Sequence, residues 1–166
     1  MSAASASKEN CMKLMSKGKS LTLNPGGVQE VSYLANRKVR TLFLKKRFGF
    51  TKLAMQSGAA IVPMFVFGQD KCYDYIVSDN KTLLEVGRRM GFLPMLFFGL
   101  FGIPLGLPKP VPLTVVVGKP IRVPHIKEPT NEEIEKCHLE FMAATETIYN
   151  DNKADFGLQE VPLVIV

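Results

Sequence analysis

Leu21 to Glu30 reads Leu-Thr-Leu-Asn-Pro-Gly-Gly-Val-Gln-Glu. Adjacent glycines reach φ > 0 without a Cβ clash. The N–H groups of Gly26 and Gly27 are therefore able to converge on one point, as donors to an oxyanion or a phosphate. Asn24 precedes them, and Glu30 follows four residues past Gly26, within reach of the same cleft. The same residues also satisfy an ordinary strand-to-helix turn. A second candidate is the stretch 37–52, where Arg37, Lys38, Arg40, Lys45, Lys46, Arg47 and Lys52 occur with no acidic residue among them. Arg47 is the first choice for an anion there, because a guanidinium holds a phosphate by two parallel hydrogen bonds. Three readings of this run stay open: a solvated face, a site for the phosphates of a coenzyme A thioester or a membrane lipid, and a nucleic-acid surface on which Phe43, Phe48 and Phe50 stack against bases. No zinc finger or aromatic-Gly-aromatic strand signature supports the last of these.

The elements that must position these residues can be read from the apolar pattern. Residues 1–9 are small and polar and expected to fray. Residues 10–18 predict a short helix stopped by Gly18, with Cys11, Leu14 and Met15 on one face. Residues 20–23 predict a strand feeding the glycine loop. Leu42, Phe43 and Leu44 predict a strand or its edge, and residues 48–55 a helix ended by Gly58. Ile61 to Phe67 is almost continuously apolar, as expected of a strand buried on both faces of a mostly parallel sheet, with Pro63 at a bulge or a position that needs no donor. Gln69 and Asp70 follow, either as a loop cap or at the sheet edge where open α/β folds place ligands. Asp79 or Asn80 is a candidate cap for a helix reaching Met90. Residues 113–117 predict another strand. Thr130-Asn131-Glu132-Glu133 is a capping box, in which the Thr hydroxyl accepts from a backbone N–H and Glu133 reaches back. It opens a helix to about Lys153, with Ile134, Cys137 or His138, Phe141, Thr145 and Ile148 inward and His138 at a core boundary. Val161 to Val166 predicts a short edge strand. Helices alternating with apolar strands give an α/β layout of one domain over 10–166.

Bulk properties bound the rest. The chain has 166 residues and a net charge of +6, which favours an anionic partner without choosing which. Mean hydropathy is slightly positive, at +0.10. Cys11, Cys72 and Cys137 are far apart and odd in number, as free thiols in a reducing compartment would be, and they form no zinc-ligand spacing. The N-terminal residues lack the apolar core of a secretory signal. No Gly-x-Ser-x-Gly elbow or Cys/His pair offers a covalent nucleophile. His125 lies in a proline-flanked loop with Glu128 near it in sequence, and a surface histidine is its plainer reading.

Several motifs occur in one order: Pro-Gly-Gly-Val-Gln-Glu at 25–30; Arg-Phe-Gly-Phe-Thr-Lys-Leu-Ala at 47–54; Gly58; Ile-Val-Pro-Met-Phe-Val-Phe-Gly-Gln at 61–69; and Val-Val-Val-Gly-Lys-Pro-Ile at 115–121. From about Lys8 to the C-terminus the chain resembles the type-2 diacylglycerol acyltransferase family, which includes monoacylglycerol acyltransferases and wax synthases. The resemblance implies a glycerolipid-acyltransferase-like α/β fold, incomplete at its N-terminus. It implies acyl transfer from acyl-CoA, a co-substrate rather than a bound cofactor, to diacylglycerol or another lipid alcohol. It places Arg47 and Lys52 in a shared block, on the anionic donor, with Asn24, Gly26, Gly27 and Glu30 helping to position the acceptor. It also implies the cytosolic face of the endoplasmic reticulum membrane, with no nucleic-acid partner.

One departure bears on catalysis. The family carries a His-Pro-His-Gly motif upstream of the glycine loop, preceded by a hydrophobic membrane segment. The only histidines here are His125 and His138. Acyl transfer to a hydroxyl needs a base, donors for the tetrahedral oxyanion and a cationic site for the coenzyme A phosphates. The resemblance assigns the base to the missing motif, so no catalytic residue is assigned in this chain and it is expected not to catalyse unaided. A non-catalytic lipid- or coenzyme-A-binding module, pairing with itself or with a full-length enzyme, is the alternative.

Gly91 to Pro108 holds 18 residues without a charge, flanked by Arg88, Arg89 and Lys109. Pro94, Gly99, Gly102, Pro104, Gly106 and Pro108 break it too often for a spanning helix of about 20 residues. It reads either as a buried segment with turns or as an exposed loop that dips into a bilayer between basic flanks. The resemblance selects the second, with Phe97, Phe98, Leu100 and Phe101 meeting lipid.

Overall fold

The computed structural model describes residues 5–26, 38–77 and 95–166. In chain order these form α1 (Lys8–Met15), β1 (Arg40–Leu42), α2 (Gly49–Ser57), β2 (Met64–Phe67), β3 (Asp74–Val77), β4 (Met95–Phe98), β5 (Thr114–Val117), α3 (Asn131–Asn152) and β6 (Leu163–Ile165). Gly27, Glu30, Arg37 and the helix anticipated before Met90 lie outside the described residues.

The molecule is built on α3. Its capping box forms as the sequence requires: Thr130 Oγ1 accepts from the Glu133 N–H and the Glu133 carboxylate accepts from the Thr130 N–H. Ile134, Cys137, His138, Phe141, Thr145, Ile148 and Tyr149 are buried, one stripe at the helical period. His138 is fully buried rather than at a boundary, because both ring nitrogens find partners inside.

Against this stripe lie two ribbons. β1 pairs in parallel with β6, Arg40 opposite Leu163 and Leu42 opposite Ile165. β2 pairs antiparallel with β5, Met64 opposite Val117 and Val66 opposite Val115. Leu42 packs against both core clusters, one built on Leu44, Ala54, Ile61, Ile121 and Phe141, the other on Phe65, Phe67, Ile148 and Tyr149. Phe67 stacks on Phe156 with centroids 4.2 Å apart. Arg40 on β1 pairs with Asp70 just past β2 at 3.1 Å, with both side chains largely buried.

The sheet expectation needs correcting. Among the described residues only β1 and β6 run parallel; β2–β5 and β3–β4 are antiparallel. β2 is not buried on both faces. Phe65 and Phe67 point inward, while Met64 and Val66 stand exposed. Residues 20–23, expected as a strand, join no ladder among the described residues. Pro63 does avoid the donor problem: only its carbonyl is used, accepting from the Gly118 N–H at 2.9 Å.

Candidate functional site

The turn from Leu44 to Arg47 delivers two basic side chains. The N–H groups of Leu44 and Lys45 both donate to the Val166 carbonyl, and the Arg47 N–H donates to the Leu44 carbonyl at 2.8 Å. The same Leu44 carbonyl accepts from His138 Nε2 at 2.9 Å. A carbonyl only accepts, so Nε2 carries the proton and Nδ1 is left to accept from the Thr51 hydroxyl at 3.0 Å. Thr51 belongs to the first turns of α2, which starts at Gly49 and ends at Gly58 in the left-handed conformation. One buried ring on α3 therefore pins both the turn and the helix that follows it. Phe48 and Phe50 lean on that ring at 4.8 and 5.5 Å.

Arg47 points back towards the glycine loop. Its Nη2 lies 3.5 Å from the Gly26 carbonyl, at the long limit of a hydrogen bond, and its guanidinium carbon sits 5.3 Å from the Phe43 ring centre. Its Nε is buried and has no hydrogen-bond partner among the described residues. Gly26 itself is buried and Asn24 exposed.

Between α1, the 23–25 stretch and α2 lies an open cavity of about 460 Å³. Asn24, Arg47 and Lys52 all line it, as do Lys8 and Lys46. No acidic residue among the described ones lines it, and Leu23, Phe50 and Leu53 give it an apolar floor. Its volume is in the range of small-molecule sites. A cavity with four cations and an apolar floor suits an anion that carries a hydrophobic body.

Of the candidate residues, then, Asn24, Gly26, Arg47 and Lys52 come together. Lys8 and Lys46 were missed as members. Lys46 was visible in the basic run, but Lys8 is brought in only by the packing of α1 on α2, which no local pattern announces. His125 is exposed and its ring lies over Gly58, where an added Cβ would stand 3.2 Å from it. No hydrogen bond joins it to Glu128 among the described residues. Burial pushes the Cys137 thiol up, with the Glu140 carboxylate adding to the effect. Among the described residues no group of three His, Cys, Asp or Glu is placed to hold a metal.

The apolar stretch forms a second feature. β4 continues into a tight fold-back, in which the Leu105 N–H donates to the Phe97 carbonyl at 2.9 Å and the Leu100 N–H to the Leu107 carbonyl at 2.7 Å. Phe97 packs edge-on against Tyr73, and Phe98 and Leu100 are half-buried. Phe101 is 88% exposed, and Ile103, Leu105 and Leu107 project as well. Phe101 and Leu105 both hold positive φ, at 59° and 56°, a costly conformation for bulky residues. The period-two spacing of residues 101–107 was the signal that could have identified the exposed set. No helix of the described residues is long and apolar enough to cross a membrane.

The sequence profile described as Diacylglycerol acyltransferase matches residues 1–166. Diacylglycerol O-acyltransferase 1 of Schizosaccharomyces pombe is 36% identical over 92% of this chain and 47% of its own length. Diacylglycerol O-acyltransferase 2A of Umbelopsis ramanniana is 36% identical over 95% of this chain and 48% of its own. Diacylglycerol O-acyltransferase 2 of Mus musculus is 33% identical over 85% and 38%. The chain spans about half the length, or less, of these curated relatives. No solved structure matches it. With the motif series in register along the whole chain and these identities, the chain belongs to the diacylglycerol acyltransferase family.

Proposed function

We propose that this chain forms the acyl-donor side of an acyl-CoA-dependent O-acyltransferase of neutral lipid synthesis, within a glycerolipid-acyltransferase-like domain. In that reaction the acyl group passes from coenzyme A to diacylglycerol and gives triacylglycerol. The observation that carries the reading is the meeting of Arg47 with the Gly26 carbonyl at the edge of a cationic cavity. Arg47, Lys52, Lys46 and Lys8 hold the phosphates of coenzyme A, and the apolar floor meets the start of the acyl chain. The Arg47 Nε has no hydrogen-bond partner among the described residues, which leaves one donor of the guanidinium uncommitted. Gly26, Gly27, Asn24 and Glu30 position the acceptor alcohol.

The chain alone binds without turnover. Acyl transfer needs a base at the hydroxyl. Of its two histidines, His138 has both nitrogens engaged in the core and His125 lies over Gly58, neither lining the cavity. This favours the coenzyme-A-binding module as the state of the isolated chain. The strained, exposed tip at Phe101 and Leu105 rests on the cytosolic face of the endoplasmic reticulum membrane.

Calorimetric titration with coenzyme A, run beside a radiolabelled acyl-CoA and diacylglycerol assay, tests this. Saturable binding without product is expected. Absence of binding overturns the donor site, and robust product from the isolated chain overturns the account of the missing base.

A further inference from the structure

The β2–β5 ribbon turns one face onto α3 and the other to solvent. The outer face is made by two directly opposed pairs, Met64 with Val117 and Val66 with Val115. None of the four is polar, and Val115 and Val117 are 53% and 60% exposed. An antiparallel ribbon with one solvated face ordinarily alternates apolar with polar residues. This one carries Phe65, Phe67 and Val116 with a single Thr114 on its inner face and only apolar residues on its outer face, the composition of a sheet covered from both sides. Val62 and Leu113, at the ribbon's ends, extend the same exposed patch. A two-stranded ribbon is also marginal by itself, and here each ribbon keeps a free edge among the described residues.

The length of the relatives indicates what is available to cover it. The chain accounts for 47% of the length of its fission-yeast relative and 48% of the Umbelopsis one. Slightly more than half of each relative therefore lies outside the part that this chain matches. The α3 side of the ribbon is filled by residues of this chain, and no described residue covers the opposite side.

We propose that the outer face of β2–β5 is the seat of the other half of the family's acyltransferase, which lays an apolar helix or strand face across Met64, Val66, Val115 and Val117. The proposal rests on family membership and not on the ligand of the cationic cavity. Failure to bind coenzyme A would leave it standing.

The test expresses this chain together with a separate, tagged polypeptide comprising the portion of the Schizosaccharomyces pombe relative outside the matched segment, in detergent. The two are expected to co-purify. Val115→Lys with Val117→Lys should reduce the recovered partner by about tenfold or more, because each unpaired charge would be buried at the junction. Both positions are exposed in the free chain, so its far-ultraviolet circular dichroism should be retained. Val115→Thr with Val117→Thr keeps β-branching at both positions and should give an intermediate loss. The proposal is overturned if the parent chain does not retain the partner, or if the lysine pair retains it as well as the parent. It is equally overturned if the lysine pair instead abolishes a homodimer in light scattering or abolishes flotation with liposomes. Those outcomes would assign the face to a second copy or to a membrane.

Discussion

His138 and Thr51, 87 residues apart in sequence, meet at 3.0 Å inside the core, and the opposite nitrogen of the same ring holds the Leu44 carbonyl at 2.9 Å. Removing the ring leaves a void and an unsatisfied Thr51 hydroxyl. His138→Ala is therefore expected to cost about 3 kcal/mol in urea unfolding. Thr51→Val keeps the shape but strands Nδ1, and should cost about 1–3 kcal/mol. The double variant Thr51→Val, His138→Ala should cost less than the sum of the two, because the residues share one contact.

In the proposed donor site, Arg47 is the residue on which binding turns. Arg47→Ala should weaken coenzyme A binding by about 10- to 100-fold, the value of a charge-assisted hydrogen bond. Lys52→Ala, at an exposed position, should weaken it by several-fold only. Arg47→Lys should not restore the parent affinity, because an ammonium lacks the planar fork. Titration calorimetry at fixed ionic strength reads all three.

Tyr149 gives an alkaline signature. Its hydroxyl donates to the Val161 carbonyl at 2.9 Å, and burial pushes the phenol above its ordinary value of 10.0, with Arg40 opposing and Asp70 adding. Below that value both folded and unfolded chains keep the proton. Above it the unfolded chain releases its proton first, so stability falls as pH rises from about 10 through the folded value. Tyr149→Phe should cost about 1 kcal/mol at pH 7, and its deficit against the parent should shrink above pH 10. Denaturant titrations at neutral and alkaline pH compare the two.

Gly68 has φ +90°, and a Cβ there would stand 2.3 Å from the Pro112 carbonyl oxygen. Gly68→Ala should cost about 2 kcal/mol or more. Gly18 has φ +70° but open space around it, so Gly18→Ala should cost only about 1 kcal/mol. Thermal melts of the two variants separate steric from conformational effects.

The exposed tip makes a membrane prediction. Phe101→Asp with Leu105→Asp should reduce flotation with anionic liposomes by about tenfold or more, since two apolar anchors become charges. Coenzyme A binding should be unchanged.

The sequence carried its information where local chemistry is self-sufficient. The Thr130–Glu133 box and the Gly58 stop form as their residue types demand. That Arg47 and Lys52 lie close together was also legible, because both fall in the motif at 47–54, whereas their meeting with Asn24 and Gly26 depends on the fold. Strand direction was not. The apolar run at 61–67 fits a doubly covered strand equally well whether its neighbour is parallel or antiparallel, and only the pairing with Val115–Val117 decides. Nor did the sequence disclose the His138 pin, since a histidine on an apolar helical stripe looks the same whether it ends at a boundary or finds two partners within. Asp70 reads as either a loop cap or a ligand position at the sheet edge, and only the approach of β1 to β2 sets Arg40 beside it. Each of these depends on contacts between distant parts of the chain.

The stretch between β2 and β5 leaves and re-enters the body at one place. The Lys109 N–H donates to the Cys72 carbonyl at 2.8 Å, and the Lys109 ammonium reaches the Asp74 carboxylate. An excursion whose two ends are already clasped together can be exchanged without stretching the frame beneath it. This clasp is therefore a natural point at which tips of different length and character can be spliced in, while the α3 scaffold and its cationic hollow stay as they are.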